Sequence, residues 1–220
     1  MDNILTFLKT LKLNNNREWF NEHKEEYNAL RAQFERYVDE LIQMLLPYDE
    51  ELTGLQAKDC LYRIYRDIRF SYDKTPYKTH FAAYMAKGGK KSPRGGYYLH
   101  IEPDNCMLSG GVWSPEPKLL RLLRQAVFDN VEEFSEIMEN PEFKKLYPGL
   151  EGEKLKIVPR PFPKDSPASE YMKYKDYIVL GRVKDEYFSD VNWKQNVIDD
   201  FRKLIPFNRF LNYTVDEFYE

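Results

Sequence analysis

A chain of 220 residues, 42% of them hydrophobic, is long enough to bury a substantial core and is expected to fold rather than stay disordered. Its 33 basic and 36 acidic residues leave a net charge of -3, which argues against nucleic acid as a general partner. Two cysteines, Cys60 and Cys106, exclude a disulfide framework or a cysteine metal cluster, and free buried thiols in a reducing compartment are the plain reading.

The first residues lack the basic flank and long apolar run of a signal peptide, and no window reaches membrane-spanning length. A cytoplasmic protein with no membrane partner is expected. Ile4, Leu5, Leu8 and Leu11 predict a short amphipathic helix over residues 2–12, broken at Asn14, Asn15 and Asn16. Asn15 with Glu18 has the form of a capping box and opens a long helix to about Leu46. Its apolar stripe, Phe20, His23, Tyr27, Leu30, Phe34, Val38, Leu41 and Leu45, recurs at spacings of three and four, and Pro47 ends it. A histidine on that stripe reads as a hydrogen-bonded structural residue before a catalytic one.

After a connector, the stretch Cys60–Lys78 interleaves Arg63, Arg66, Asp67, Arg69, Asp73, Lys74 and Lys78 with aromatic and β-branched residues. That content predicts a strand from Leu61 to Phe70. Alternation places Tyr62, Ile64, Arg66, Ile68 and Phe70 on one face and Arg63, Tyr65, Asp67 and Arg69 on the other. A loop to Pro76 and a strand from Thr79 to Lys87 follow. Residues 87–96 are basic and glycine-rich but do not match a phosphate loop; they read as a hairpin tip, or alternatively as a lid over a ligand. Strands are predicted over Tyr97–Glu102 and Cys106–Trp113. Gly110 and Gly111 inside the latter mark a bulge or a close backbone approach.

Ser114, Pro115 and Glu116 read as a helix start. Asn130 with Glu133, and Asn140 before Pro141, open two further helical segments. A proline-stiffened loop spans residues 147–167, with a short strand at Leu155–Val158, and Ser166–Pro167 starts a short helix to about Tyr174. Tyr177–Val183 reads as a buried strand. Asp190 caps a helix to Ile205, and Pro206 begins the last, to about Tyr219. The sum is one α+β domain over residues 1–220: a mainly antiparallel sheet with a long N-terminal helix and several C-terminal helices packed around it.

Arginine does not lose its proton at ordinary pH, and its planar fork suits phosphate or carboxylate. Arg63, Arg66 and Arg69 therefore point to recognition of a small anionic ligand before proton transfer. A cation on an apolar face must be paired, since breaking a buried pair costs about 3–5 kcal/mol. Arg66 is accordingly expected to be a buried anchor paired with Asp67, Asp73 or Glu102, leaving Arg63 and Arg69 to face the ligand. Lys74, Tyr77 and the Gly110–Gly111 turn are expected to assist, the turn because a helix N-terminus follows it.

For acid–base chemistry the candidates are Asp67, His100 and Glu102, with His80 beside them; His100 and Glu102 share a strand face. No nucleophile elbow, zinc spacing or dinucleotide fingerprint is present, so no cofactor is expected. The three histidines, scattered along the chain, do not predict a metal site. The alternative is a non-enzymatic interaction protein whose arginines form a structural salt-bridge network. A ligand site predicts arginine heads lining a concave pocket; a network predicts each head paired internally. Enzymatic activity and oligomeric state are open at this level.

The arrangement of Arg63, Arg66, Asp67, Arg69, Phe70, Asp73, Lys74 and Tyr77 resembles the signature of a bacterial family, domain of unknown function 2461. The similarity continues through KTPYKTHFAAY at Lys74–Tyr84, GYYLHIEP at Gly96–Pro103, the glycine pair before WSPE, and RPFPKDSP at Arg160–Pro167. The resemblance implies a single-domain bacterial protein of this length and carries no activity over.

Overall fold

The computed structural model describes residues 1–220. In chain order the helices and strands are α1 (Asp2–Leu13), α2 (Arg17–Glu22), α3 (Lys24–Leu45), α4 (Ala57–Cys60), β1 (Phe81–Met85), β2 (Gly96–Ile101) and β3 (Cys106–Val112). There follow α5 (Pro117–Asp129), α6 (Val131–Glu139), α7 (Pro141–Lys144), β4 (Leu150–Glu151), α8 (Ser169–Met172), β5 (Tyr177–Val183), α9 (Trp193–Lys203) and α10 (Ile205–Tyr219). The class is α+β, and the five strands form an antiparallel sheet in the order β1-β2-β3-β5-β4. Leu150 stands opposite Val179 and Glu151 opposite Ile178. No helix is long and apolar enough to cross a membrane.

The chain divides into two compact units. The first comprises Met1–Lys90, Tyr98–Met107 and Arg182–Ile198. Its core is the apolar stripe of α3, where Tyr27, Leu30, Phe34, Val38, Leu41 and Leu45 are buried, and α3 packs on α1, α2, α4 and β1. Each such side chain contributes about 1.5–3 kcal/mol when fully removed from water.

The predicted continuous helix is interrupted at His23, which leaves helical geometry between α2 and α3. Its ring stacks on Trp19 at 4.0 Å, and its Nδ1 contacts the Trp19 carbonyl at 2.9 Å. The cap of α2 is Asn16, whose side chain accepts from the Trp19 N–H, and not Asn15. Asn15 instead clamps Tyr77: its Nδ2 donates to the Tyr77 carbonyl (2.9 Å) and its Oδ1 accepts from the Tyr77 N–H (3.1 Å).

The predicted strand Leu61–Phe70 does not form as a strand. Leu61 and Tyr65 make single antiparallel bridges to Ala83 and Tyr77, and the pairing ends with the Arg66 N–H on the Pro76 carbonyl. Pro76 has no N–H to continue a ladder. Beyond it, Asp67, Asp73 and Lys74 hydrogen-bond the local backbone and hold it in a loop. Phe70, expected on the apolar face, is 95% exposed.

The second unit comprises Lys91–Tyr97, Leu108–Gly181 and Asp199–Glu220. Here α10 packs on α5 and α6. Two buried asparagines of α10 satisfy backbone groups of two strand segments. Asn208 accepts from the Gly111 N–H (2.9 Å) and donates to the Gly96 carbonyl (3.0 Å). Asn212 accepts from the Gly95 N–H (2.6 Å) and donates to the Gly95 carbonyl (3.0 Å).

The helix start predicted at Ser114 lies three residues further on, where Pro117 occupies the first turn of α5. Ser114 has a positive φ of 50° and donates its N–H to Asp176 Oδ1 at 2.7 Å, a turn rather than a cap. The short strand of the proline-rich region is Leu150–Glu151, not Leu155–Val158.

Candidate functional site

His100 and Glu102 stand two residues apart at the end of β2, so their side chains leave the same face. His80 immediately precedes β1, the neighbour of β2, and the sheet places its ring beside that of His100. The two imidazoles are 4.2 Å apart between centroids, tilted by 32°. His100 is held at both ends: Nδ1 lies 2.9 Å from the Tyr98 hydroxyl and Nε2 lies 3.3 Å from Glu102 Oε2. Glu102 also accepts from the Thr79 hydroxyl (2.5 Å) and from Asn105 Nδ2 (2.7 Å). The His80 ring makes no hydrogen bond. One ligating atom each from His80, His100 and Glu102 fall within 4.8 Å of one another.

Burial, with the neighbouring His100 ring, pushes His80 down to about 4. Burial also pushes His100 below its ordinary value, outweighing its hydrogen bond to Glu102, which opposes the shift. Burial works against the Glu102 charge, but the hydrogen bonds from Thr79, Asn105 and His100 prevail and keep its carboxyl below the usual range. At neutral pH the group is therefore two uncharged imidazoles beside one fixed carboxylate. Such a set can pass a proton along the Tyr98–His100–Glu102 line, or donate two nitrogens and an oxygen to a cation.

The aromatic rings connect this group to a cation. Tyr98 meets Tyr62 edge-on at 6.2 Å, and the Lys78 ammonium lies over the Tyr62 ring, 5.4 Å from its centroid. Burial and then the adjacent positive charge of Arg63 lower the Lys78 pKa. Neither Lys78 nor exposed Arg63 has an ion-pair partner.

The other predicted ligand residues are engaged within the protein. Arg66 pairs with Asp73 and with the Thr75 hydroxyl, and reaches the Thr75 carbonyl at 3.2 Å. It is thus paired as expected, with Asp73 as the partner. Its side chain, however, is 26% exposed and not fully buried, because its partners lie in a surface loop. The Thr75 backbone N–H, then Arg66, pull the Asp73 carboxyl down to about 2. Arg69 grips Asp67 bidentately, Nε to Oδ1 at 2.9 Å and Nη2 to Oδ2 at 2.7 Å, so both Asp67 oxygens are taken. Lys74 donates to the Ile68 carbonyl at 3.0 Å. Tyr77 is buried and stacks on Phe20 at 3.9 Å. Gly110 and Gly111 belong to the second unit, where the Gly111 N–H is already bound by Asn208. That unit also holds a groove of about 850 Å³, lined by residues such as Ile137, Phe143, Pro206 and Phe210, with none of the predicted site residues among its walls.

A family model described as Conserved hypothetical protein (DUF2461) matches residues 3–210. The chain belongs to this family. The DUF2461 match takes in the arginine loop, Lys78 and the whole His80–His100–Glu102 group. No curated protein and no solved structure matches the chain.

The His100–Glu102 pair was readable as an i, i+2 pattern on a strand. His80 and the neighbouring Lys78 carried weaker signals. His80 joins it only through the pairing of β1 with β2, and Lys78 acquires its position from the backbone bond of its N–H to the Ile64 carbonyl.

Proposed function

We propose that this protein binds a small anionic ligand, phosphorylated or carboxylated, at the cationic face formed by Arg63 and Lys78 beside the His80–His100–Glu102 group. The reading is carried by one observation: Lys78 and Arg63 are close enough for one charge to disfavour the other, and neither forms an ion pair, the Asp67 carboxylate near Arg63 being held by Arg69. Two neighbouring cations repel, and an anion between them relieves that cost. Tyr62 supplies an apolar wall under the ammonium. Arg66, Arg69 and Lys74 then serve to shape the adjoining loop. Where chemistry follows binding, His100 and Glu102 are its acid–base pair.

The test is a thermal-shift series with inorganic phosphate and simple di- and tricarboxylates. An anion a hundredfold above its Kd stabilises the native state by about 2.7 kcal/mol, or roughly 5–10 °C for a chain of this size. The shift is expected to vanish in Lys78→Ala and Arg63→Ala and to persist in Arg69→Ala. No shift in the wild type at millimolar anion, or an undiminished shift in Lys78→Ala, removes the proposal.

A second reading, an interaction protein with structural arginines, is supported by Phe70 and Tyr72. Both are fully exposed on the loop that the Arg66–Asp73 and Arg69–Asp67 pairs hold. It predicts no anion response and an association, visible by sedimentation, that Phe70→Ser abolishes.

A further inference from the structure

We infer that His80, His100 and Glu102 form a binding site for one divalent first-row transition-metal ion, such as Zn2+, Fe2+ or Co2+. Two imidazole nitrogens and a carboxylate oxygen are the donor set such ions favour, and hard ions such as Mg2+ or Ca2+ prefer oxygen alone. The three donor atoms already converge within 4.8 Å. The 3.3 Å between His100 Nε2 and Glu102 Oε2 is about the separation of two donors bound at 2.0–2.1 Å to a tetrahedral ion.

The surrounding contacts fit this role. A metal-bound histidine ordinarily gives its other ring N–H to an oxygen, and His100 Nδ1 has the Tyr98 hydroxyl at 2.9 Å. An ion bound at Nε2 takes the place of the proton shared there with Glu102, and that proton moves to Nδ1, where the Tyr98 hydroxyl accepts it. Thr79 donates to Oε1 and Asn105 to Oε2, which fixes the carboxylate with Oε2 facing His100. His80 supplies the independent observation. It is half-buried, its ring lies against His100, and neither of its nitrogens has a hydrogen-bond partner. A nitrogen lone pair of His80 is therefore available to an ion.

Lys78 is a nearby cation, but its influence on both rings is weaker than that of Glu102. Three protein donors at the ends of two paired strands leave coordination positions open to water or an exchangeable ligand. That is the pattern of a reactive site, in contrast to a closed structural one.

The inference stands on the donor geometry and does not require the anion site. The two tests are kept separate by removing metal with a chelating resin, so that no dissolved polycarboxylate is present, and by titrating metal in chloride buffer. The experiment is a Co2+ titration of the full chain, read by equilibrium dialysis and by the imidazole NMR signals. The chain has three histidines. One Co2+ per chain with Kd below about 100 µM is expected, shifting the signals of His80 and His100 and sparing His23. Glu102→Gln and His80→Ala are each expected to weaken binding more than about 10-fold, and His23→Ala to leave it unchanged. Absence of stoichiometric binding, a paramagnetic shift of His23 with the other two, or Glu102→Gln binding as well as wild type overturns the inference. Should His80→Ala fail to fold, the wild-type signals decide alone.

Discussion

The Thr79 hydroxyl donates to Glu102 Oε1 at 2.5 Å, tying the residue that leads into β1 to the one that follows β2. Glu102 has only 17% of its side chain exposed, so the donors around it replace water that the carboxylate has lost. Thr79→Val keeps the shape and removes the donor. A loss of about 1.5–3 kcal/mol in urea unfolding is expected, with Thr79→Ser close to wild type. A loss under about 0.5 kcal/mol would show that the bond does not hold the carboxylate.

Asp73 titrates far below an ordinary aspartate, near about 2, because the Thr75 N–H and Arg66 favour its charged form. A depressed carboxyl contributes stability above its unfolded value of about 3.9, and loses it as pH falls towards about 2. Carboxyl-carbon NMR should place the midpoint near about 2. In Arg66→Gln the midpoint should rise only part of the way to the ordinary value, since the Thr75 N–H is the larger cause.

Both thiols are free and buried, and burial pushes Cys60 and Cys106 up to about 12. Only the thiolate attacks a disulfide reagent. At pH 8 the native protein is expected to react slowly, and two equivalents to react at once in denaturant. Fast reaction of either cysteine in the native state would contradict its burial.

Gly111 has φ of +101°, and a Cβ there would lie 2.0 Å from the Tyr177 carbonyl oxygen and 2.7 Å from the Phe207 ring. Gly111→Ala combines backbone strain with overpacking, each about 1–3 kcal/mol, and is expected to cost at least about 3 kcal/mol. Gly54, also at positive φ, has nothing within 4 Å of its would-be Cβ. Gly54→Ala should cost only the backbone term, about 1–2 kcal/mol. Paired urea curves separate the two; equal losses would mean that the close approach to Tyr177 is absent.

Where local geometry governs, residues could be placed in advance. The three-and-four spacing from Tyr27 to Leu45 fits a helix burying one face, and those residues are the core of α3. Tyr177–Val183 forms β5 at the predicted bounds, and Asn140 caps α7 through its own side chain. The same local rules misplace elements where a distant partner intervenes. His23 fits the apolar stripe, yet stacking on Trp19 and a bond to its carbonyl accompany a break in the helix. The stretch Leu61–Phe70 has strand composition, yet Pro76 and the side chains of Asp67 and Asp73 divert it into a loop.

The Cys60–Lys78 stretch shows the division most clearly. Sequence by itself determined that its charges are dense, that arginine would act through its fork, and that His100 and Glu102 share a face, because these follow from residue chemistry and strand period. Only the tertiary structure decided which charges cancel. Asp73 faces Arg66 and Asp67 faces Arg69, which leaves Arg63 and Lys78 without an ion pair, and strand pairing sets His80 against His100. An electrostatic contact depends on a few ångströms of distance and on local burial, and those are set by strand pairing and loop closure between residues whose separation along the chain carries no such information.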